Sequence, residues 1–272
     1  MKKIIFLLTM LFALVAHANQ TVQVVWPFNI GSTQAQMIRA LIDNANKSQS
    51  KYKFVLVNKL GASGIIASNY VLTNDSLTIL GNSTSFFLTP LTTEGKSYDV
   101  DNFKMVAQLC SSRPMAIMSK NLKSLTDKKE ISVGDIGGGS VLVGKVLESN
   151  IKKSTSILFV PYKGGPEATT DMLGGHLDVS IDWLSQANRA EGSGGRVLGI
   201  TGSRKIGSYS TIKGLEDLTF DLFLFIPSTV NDTIRKELTD IINANNNDAT
   251  EAFCENDFGV VTTTPFSNLN SL

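Results

Sequence analysis

Short apolar runs alternate with segments of helical periodicity along most of this chain. The first run, Val22 to Trp26, precedes apolar residues at helical spacing between Met37 and Ala45. The same alternation predicts further strands over residues 53–57, 77–80, 114–118, 131–134, 157–160, 177–182, 196–201 and 222–226. Helices are predicted over residues 65–72, around 141–147, from 166 and over 232–244. Strands separated by helices are typical of α/β proteins, so we expect an α/β fold with a mainly parallel sheet.

Glycine-rich turns follow several predicted strands, and the most informative segment is 160–179, VPYKGGPEATTDMLGGHLDV. It predicts a strand, a turn at Gly164 and Gly165, a short helix from Pro166 and a further strand. A helix start leaves backbone N–H groups without partners and carries a partial positive charge, which together suit an anion. No nucleophile or titrating group is placed for catalysis in this segment. It therefore indicates that the protein holds an anion rather than transforming it.

Other loops share this position at a strand-to-helix junction. Residues 61–64 and 137–140 are glycine loops, although neither matches a P-loop and no G-x-G-x-x-G follows the first strand. Residues 27–32 turn the chain, and Thr33 to Gln36 match a capping box in which the Thr33 hydroxyl caps the helix. Open α/β sheets bind ligands at the carboxyl ends of their strands. We therefore expect these loops to meet at one binding site.

The N-terminal residues have the pattern of a secretory signal peptide. Lys2 and Lys3 precede an almost wholly apolar run over residues 4–16, and Ala16-His17-Ala18 matches a cleavage site. The run is shorter than the ~20 residues that a membrane-spanning helix requires. We therefore expect an exported protein, cleaved near Ala18, whose mature chain begins near Asn19.

Charge, histidine and cysteine content narrow the function further. Two of the 25 Lys and Arg residues leave with the signal segment, and the remaining 23 are balanced by 24 Asp and Glu without a basic stripe, so nucleic acid is not an expected partner. His176 becomes the one histidine of the mature chain, which excludes a multi-histidine metal site and makes a Ser-His-Asp triad depend on one residue. We expect no metal site, and we also expect no cofactor. Cys110 and Cys254 form a disulfide in one interpretation and are buried free thiols in the other.

The loops together resemble the solute receptors of tripartite tricarboxylate transporters, also called the Bug family. Residues 160–178 are similar to the family pattern V-P-Y-K-G-x-x-P-A-x-x-D-L-L-G-G-x-V-D. Supporting similarities run in the family order: 27–34 to P-F-x-x-G-G-[PS]-T-D, 61–64 to G-A-G-G, 77–81 to Y-T-L-L-x-G, 98–103 to Y-D-P-x-x-D-F and 196–201 to R-x-L-A-V-T. The resemblance covers most of the mature chain.

The resemblance implies a two-lobed, periplasmic-binding-protein-like type II fold with a ligand cleft between the lobes. Residues 19–118 and 222–272 would form the first lobe and residues 119–221 the second, with crossing strands near 114–118 and 222–226. The implied function is that of a periplasmic, non-catalytic receptor for a small organic carboxylate: a di- or tricarboxylate, an acidic amino acid or an aromatic acid. A monomer would deliver this ligand to the permease subunits of a membrane transporter.

The resemblance and the loop positions give the candidate ligand contacts. On the first lobe they are Phe28, Asn29, Gly31, Ser32, Thr33, Ser83 and Thr84, and on the second lobe Gly138, Gly139, Tyr162, Lys163, Gly164 and Asp182. Backbone N–H groups at two helix starts would bind a carboxylate without a counter-ion. Several side chains have a second interpretation: Thr33 as a helix cap, Tyr162 as simple packing, and Asp182 as the cap of the next turn instead of the partner of a ligand amine.

The chain also departs from the family pattern. The loop over residues 29–34 is one residue shorter, Gln34 replaces an aspartate, and the C-terminal region is abbreviated. These departures leave the ligand and the coupling to a transporter open. The alternatives are an exported α/β hydrolase or transferase, although no G-x-S-x-G elbow or serine partner for His176 occurs, and a scavenger or sensor of the same fold without a permease.

Overall fold

A computed structural model describes residues 19–95, 97–121, 125, 127–246, 248–256 and 259–262 of the chain. The strands are β1 (Gln20–Trp26), β2 (Tyr52–Asn58), β3 (Thr78–Ser83), β4 (Phe103–Arg113), β5 (Met115–Ser119), β6 (Glu130–Asp135), β7 (Ser156–Pro161), β8 (Ser180–Trp183), β9 (Arg196–Ile200), β10 (Phe220–Pro227) and β11 (Val260–Val261). The helices are α1 (Thr33–Ser48), α2 (Ile65–Thr73), α3 (Ser85–Thr92), α4 (Gly138–Asn150), α5 (Gly165–Gly174), α6 (Leu184–Gly192), α7 (Asp232–Asn245) and α8 (Asp248–Asn256). Two short 3-10 helices span Ala62–Gly64 and Val100–Asn102.

Each of the two lobes is built on its own sheet. The first-lobe sheet has the order β11-β4-β10-β3-β1-β2, with β1 parallel to β2 and β3. In the second lobe, β5 lies antiparallel between β8 and β9, and the parallel pair β6–β7 joins this sheet through a bridge between Val133 and Val179. The expectation of a mainly parallel sheet is wrong, because β10 returns from the second lobe and runs antiparallel to both β3 and β4.

The chain passes between the sheets at Pro114. β4 ends in the first sheet at Arg113, and β5 begins in the second sheet at Met115. The return path lies between the end of β9 and the start of β10, where Phe220 pairs with Arg113. The two crossings therefore lie side by side, at the ends of strands, where a few residues can absorb the rotation of a hinge. The division of the lobes at residues 118 and 221 stays a prediction.

Helix α1 shows how the sequence pattern leads to packing. Its predicted apolar face is buried on the first sheet, and the buried residues are Met37, Ile38, Leu41, Ile42 and Ala45. The predicted cap is wrong by one residue: Ser32 has extended backbone angles and its hydroxyl accepts the Ala35 N–H, so Ser32 and not Thr33 is the N-cap. The Gln36 side chain binds the Gly31 carbonyl instead of completing a capping box.

A disulfide between Cys110 and Cys254 connects β4 to α8, with the two Cα atoms 5.9 Å apart. The disulfide interpretation of the two cysteines is therefore correct. The predicted signal segment, residues 1–18, lies outside the described residues, as does the polar tail after Thr262. Across the part of the chain that the structure describes, no helix is both long and apolar enough to cross a membrane.

Candidate functional site

A cavity of about 40 Å³ lies between the two lobes. The first lobe contributes the ends of β1 and β3 with the loops and helix starts that follow them. The second lobe contributes the loops after β6 and β7, the end of β8 and the first turn of α6. The lining residues are Trp26, Phe28, Asn29, Ser32, Gln34, Ser83, Ser85, Met115, Ile136, Gly137, Ser140, Gly164, Gly165, Pro166, Asp182, Trp183 and Gln186. In this closed arrangement there is room for only a few water molecules.

The described lining combines aromatic walls with neutral polar groups, and Asp182 is its one charged side chain. No Lys or Arg side chain is part of that lining. An anion bound here must therefore be held by hydroxyl, amide and backbone N–H donors instead of by a salt bridge. In a site closed off from water such donors interact more strongly than they would at the protein surface.

Three serine hydroxyls of the first lobe are prepared to donate. The Oγ of Ser32 accepts the Ala35 N–H at 3.2 Å, that of Ser83 accepts the Ser85 N–H at 3.3 Å, and that of Ser85 accepts the Gly139 N–H at 3.1 Å. Each hydroxyl has one hydrogen of its own to donate, and these contacts use only its oxygen. Within the part of the chain that the structure describes, no group accepts these three hydroxyl hydrogens, so they can be donated to a carboxylate oxygen.

The start of helix α5 forms the wall of the cavity on the second lobe. Its first residue, Gly165, lies against the buried Asp182, and a Cβ built on Gly165 would lie 1.7 Å from Asp182 Oδ2. Asp182 Oδ1 accepts the Trp183 N–H at 2.8 Å. A negative charge is favoured at a helix N-terminus, so the carboxylate of Asp182 itself already uses part of the positive field predicted for a ligand. A ligand group that faces Asp182 must therefore be a donor such as a hydroxyl or an ammonium group.

Gln186 adds an acceptor to the same wall. Its side chain is 6% exposed and its Oε1 has no hydrogen-bond partner among the described groups. Leaving a buried polar atom unsatisfied costs about 1–3 kcal/mol. A ligand or water that donates to this oxygen would relieve that cost, which favours occupancy of the cavity by a molecule with a donor group.

The aromatic walls are held by packing behind the cavity. Trp26 and Phe28 contact edge to face with ring centroids 5.5 Å apart. The guanidinium carbon of the buried Arg113 lies 4.0 Å from the centroid of the Trp183 ring. A cation over an indole face is attracted by the negative π surface. This contact fixes Trp183 and places a positive charge directly behind the cavity wall.

Six of the predicted ligand contacts line the cavity: Phe28, Asn29, Ser32, Ser83, Gly164 and Asp182. Others lie nearby but use their polar groups elsewhere. The Gly31 N–H donates to Asn29 Oδ1, and Thr84 forms two hydrogen bonds with the backbone of Asp221. Thr33 is half-buried at the first turn of α1.

The remaining predicted contacts belong to the second lobe. The N–H groups of Gly138 and Gly139 donate to Thr89 Oγ1 and Ser85 Oγ of the first lobe, so they join the lobes directly. Tyr162 donates to Asp171 at 2.8 Å, and burial together with this carboxylate raises the pKa of Tyr162 to about 12. Lys163 is exposed. None of these four residues lines the described cavity.

The sequence did not predict eleven lining residues: Trp26, Gln34, Ser85, Met115, Ile136, Gly137, Ser140, Gly165, Pro166, Trp183 and Gln186. Some are direct neighbours of predicted residues, as Trp183 is of Asp182, and that adjacency was a usable signal. Others, such as Met115, lie at the crossing between the lobes and become part of the cavity only through the hinge topology.

Asp135 contributes to the electrostatics at the edge of the cavity. Its Oδ1 accepts the N–H of the lining residue Gly137 at 2.8 Å. Burial raises the pKa of Asp135, although the hydrogen bonds from Gly137 and Ser140 oppose the rise. Among the described residues, no group of three or more His, Cys, Asp and Glu side chains has the arrangement of a metal site.

Comparison with known proteins agrees with this architecture. A family model described as the tripartite tricarboxylate transporter family receptor matches residues 37–265. The structure of the periplasmic binding protein BugD has a TM-score of 0.77 at 21% identity, with 90% of this chain and 89% of that chain covered. The comparison with curated proteins gives no significant match.

Two further similar structures come from Rhodopseudomonas palustris. Rpa4515 with adipate has a TM-score of 0.78 at 20% identity, with 92% of this chain and 91% of that chain covered. MatC (Rpa3494) with bound malate has a TM-score of 0.75 at 19% identity, with 89% and 90% covered. At these identities the likeness shows a shared two-lobed fold.

Proposed function

The chain belongs to the tripartite tricarboxylate transporter receptor family, and from that premise we propose that it captures a small organic carboxylate between its lobes. The observation that carries this proposal is the interlobe cavity, where both lobes present neutral donors and none of the described lining residues is basic. Such a lining suits a carboxylate that is bound by hydrogen bonds from hydroxyl and backbone groups. The adipate and malate named for the two Rhodopseudomonas structures belong to the same chemical class.

The proposed binding mode divides the ligand between the lobes. The hydroxyls of Ser32, Ser83 and Ser85 hold one carboxylate from the first lobe, and the N–H groups at Gly164 and Gly165 approach it from the second. Phe28 and Trp183 enclose the carbon chain. Asp182 accepts a hydrogen bond from a hydroxyl or ammonium group on the ligand, which favours hydroxy acids and acidic amino acids within the class.

The proposal extends to how the protein is exported and how it works. We propose cleavage near Ala18, a monomeric receptor in the periplasm, and delivery of the ligand to membrane permease subunits without catalysis. His176, the base that an exported hydrolase would use, is exposed beyond α5 and is not among the lining residues. Mass spectrometry of the exported protein tests the cleavage, since the mature chain should begin near Asn19.

A binding assay tests the function directly. The protein is unfolded, freed of carried-over ligand and refolded, and its melting temperature is then measured with mono-, di- and tricarboxylates, hydroxy acids and acidic amino acids. We expect a saturable rise with at least one of these acids, because a ligand that binds only the folded state stabilises it. A panel that leaves the melting temperature of well-folded protein unchanged contradicts the proposal.

Two serine variants show whether binding takes place in the cavity. Ser83→Ala removes a proposed donor to the carboxylate. It should lower the affinity for the acid that binds wild-type protein most tightly by about fivefold to tenfold. Ser149→Ala is the matched control, because Ser149 is exposed on α4 and, among the described groups, binds only the Val146 carbonyl within its own helix. Equal affinities of the two variants would place the ligand elsewhere.

A further inference from the structure

One hydrogen bond crosses the mouth of the cleft between side chains that are 138 residues apart in sequence. Asn29, in the loop after β1, donates through Nδ2 to Glu167 Oε1 in the first turn of α5, with the two atoms 2.6 Å apart. Asn29 belongs to the first lobe and Glu167 to the second. We call this pair the clasp.

The donor of the clasp is held in place by its own loop. The Oδ1 of Asn29 accepts the Gly31 N–H at 2.7 Å, so the amide nitrogen is the atom that faces Glu167. The Asn29 carbonyl accepts the Ser32 N–H at 3.1 Å and the indole N–H of Trp26 at 3.3 Å. The donor is therefore preorganised before the lobes meet, which limits the entropy lost when the clasp forms.

The acceptor is equally well placed. Glu167 lies in the first turn of α5, where the helix dipole favours its negative charge. Gly164 allows the approach, because a Cβ at this position would lie 3.0 Å from Asn29 Cβ and 3.4 Å from Asn29 N. Glu167 Oε2 is buried and has no hydrogen-bond partner among the described groups. Burying that unsatisfied oxygen offsets part of the stabilisation that the clasp gives.

We propose that the Asn29–Glu167 clasp stabilises the closed form of the protein and restricts the cleft to short carboxylates. A hydrogen bond is lost when its heavy atoms separate by a few tenths of an ångström beyond about 3.2 Å. With the clasp formed, the cavity between the lobes is about 40 Å³. A ligand that holds the lobes further apart breaks the clasp and loses its contribution, whereas a short ligand keeps it. The restriction on length rests on the proposed function, but the stabilisation of closure does not.

Distances between the lobes in ligand-free protein test the first part. Spin labels attached through Asp43→Cys on α1 and Lys145→Cys on α4 report lobe separation by electron–electron double resonance, because both positions are exposed. Glu167→Ala should shift the closed-to-open ratio toward open by about fivefold, the effect of one hydrogen bond of ordinary strength. Glu167→Gln is the matched control, since it keeps the length of the side chain and an acceptor oxygen, and it should shift the ratio less.

A reciprocal exchange separates the clasp from other effects of these residues. Asn29→Asp keeps the acceptor for Gly31 but sets a second carboxylate against Glu167, so this variant should have the smallest closed fraction of the variants. The double variant with Glu167→Gln should recover the closed form, because the new amide can donate to the new carboxylate. Two results would overturn the proposal that the clasp stabilises closure. One is a wild-type protein that is entirely open without ligand, and the other is a double variant that is as open as Asn29→Asp alone.

Malonate, succinate and adipate test the second part. Glu167→Ala should weaken malonate binding by about fivefold and leave adipate binding nearly unchanged, because only the shorter acid permits the clasp. Equal weakening of both acids would overturn the length restriction. If none of the three binds to wild-type protein, the length restriction also fails, and the wider acid panel then decides the proposed function. The ligand-free distances decide the stabilisation of closure in either case.

Discussion

Among the described glycines of the second lobe, Gly165 has the least room for a side chain. A Cβ at this position would lie 1.7 Å from Asp182 Oδ2 and 2.2 Å from its carboxyl carbon, and Asp182 is buried. Gly165→Ala should therefore lower the free energy of unfolding by about 1–3 kcal/mol, as overpacking does, and weaken carboxylate binding. Urea unfolding and calorimetric titration measure the two effects.

Gly192 provides the control for that substitution. It ends α6, and a Cβ there would meet no atom within 4 Å. Gly192→Ala should leave the free energy of unfolding within about 0.5 kcal/mol of the wild-type value. If Gly165→Ala were as harmless, the packing of α5 against Asp182 would be looser than the structure indicates.

Asp178 links the stability of the second lobe to pH. Burial alone would raise the pKa of Asp178, but the Lys128 ammonium and the hydrogen bonds from Ser132 outweigh it and hold the pKa below its usual value. The carboxylate therefore stabilises the fold above the unfolded-state pKa of about 3.9, and this stabilisation is lost as pH falls through the lower folded-state pKa.

Asp178→Asn should accordingly cost about 1–2 kcal/mol at pH 7, with the difference from wild type shrinking below about pH 4. Urea unfolding at a series of pH values measures it. Asp217→Asn serves as the control, because Asp217 is an exposed carboxylate of the same lobe and should cause no comparable change. A loss that stays constant down to pH 2 would show that the charge of Asp178 is not its cause.

Residue-level prediction was most useful where a residue type and its position near a strand end together limit its role. Ser32, Ser83 and Asp182 all line the cavity, and their part in ligand binding stays a prediction. It was less useful where a side chain has a choice of partners. Thr33 and Ser32 both match a cap, and only the backbone angles of Ser32 decide between them. Likewise, nothing local shows that the N–H groups of Gly138 and Gly139 bind hydroxyls of the other lobe.

Among the elements, α8 is attached to the first lobe by a covalent bond. The disulfide joins Cys110 to Cys254, which are 144 positions apart in the sequence. Replacing both cysteines by alanine should lower the free energy of unfolding by about 2–5 kcal/mol. It should also speed amide hydrogen exchange in α8 more than in α7, because α7 keeps its own packing through Leu238 and Ile242. Exchange in α8 that does not change would show that the disulfide is not what holds this helix.

Helical periodicity explains the prediction of α1, but it does not separate all the predicted helices from the missed ones. Helix α2 was predicted although its apolar residues are not confined to one face, and the amphipathic helix α6 was missed. The pattern over Met37 to Ala45 repeats with the period of a helix, and α1 forms there. Strand β4 was missed although Phe103 to Cys110 is largely apolar. It continues through the polar residues 111–113, where pairing with β10 and β11 supplies its hydrogen bonds. Helix α3 contains Pro90, which argues against a helix interior, yet its buried face is fixed by packing of Phe86 on Phe225.

At the scale of the whole molecule, the two-lobed fold was predictable because its loops share an ordered pattern with a known family. The direction of the crossing strands was not, since antiparallel pairing of β10 with β3 and β4 depends on where the chain returns from the second lobe. The closed cavity also depends on the meeting of the lobes, which brings Met115 and Trp183 to the same space as Ser83. No local sequence signal encodes that distance.

Gly138 allows α4 of the second lobe to pack closely against α3 of the first lobe. A Cβ at this position would lie 2.5 Å from the backbone nitrogen of Thr89 and 2.7 Å from the carbonyl carbon of Leu88, both in α3 of the first lobe. Backbone atoms within a helix cannot move aside as a side chain can, so Gly138→Ala should force the lobes apart. Gly144→Ala is the matched control on α4, because its Cβ would meet the Phe159 ring of its own lobe at 2.5 Å.

Small-angle scattering should show a larger radius of gyration for Gly138→Ala but not for Gly144→Ala. Gly144→Ala should lower the free energy of unfolding by about 1–3 kcal/mol and leave the radius unchanged. An unchanged radius in Gly138→Ala would mean that α3 and α4 adjust within their lobes, and that the closed form is set at the cleft instead of at the hinge.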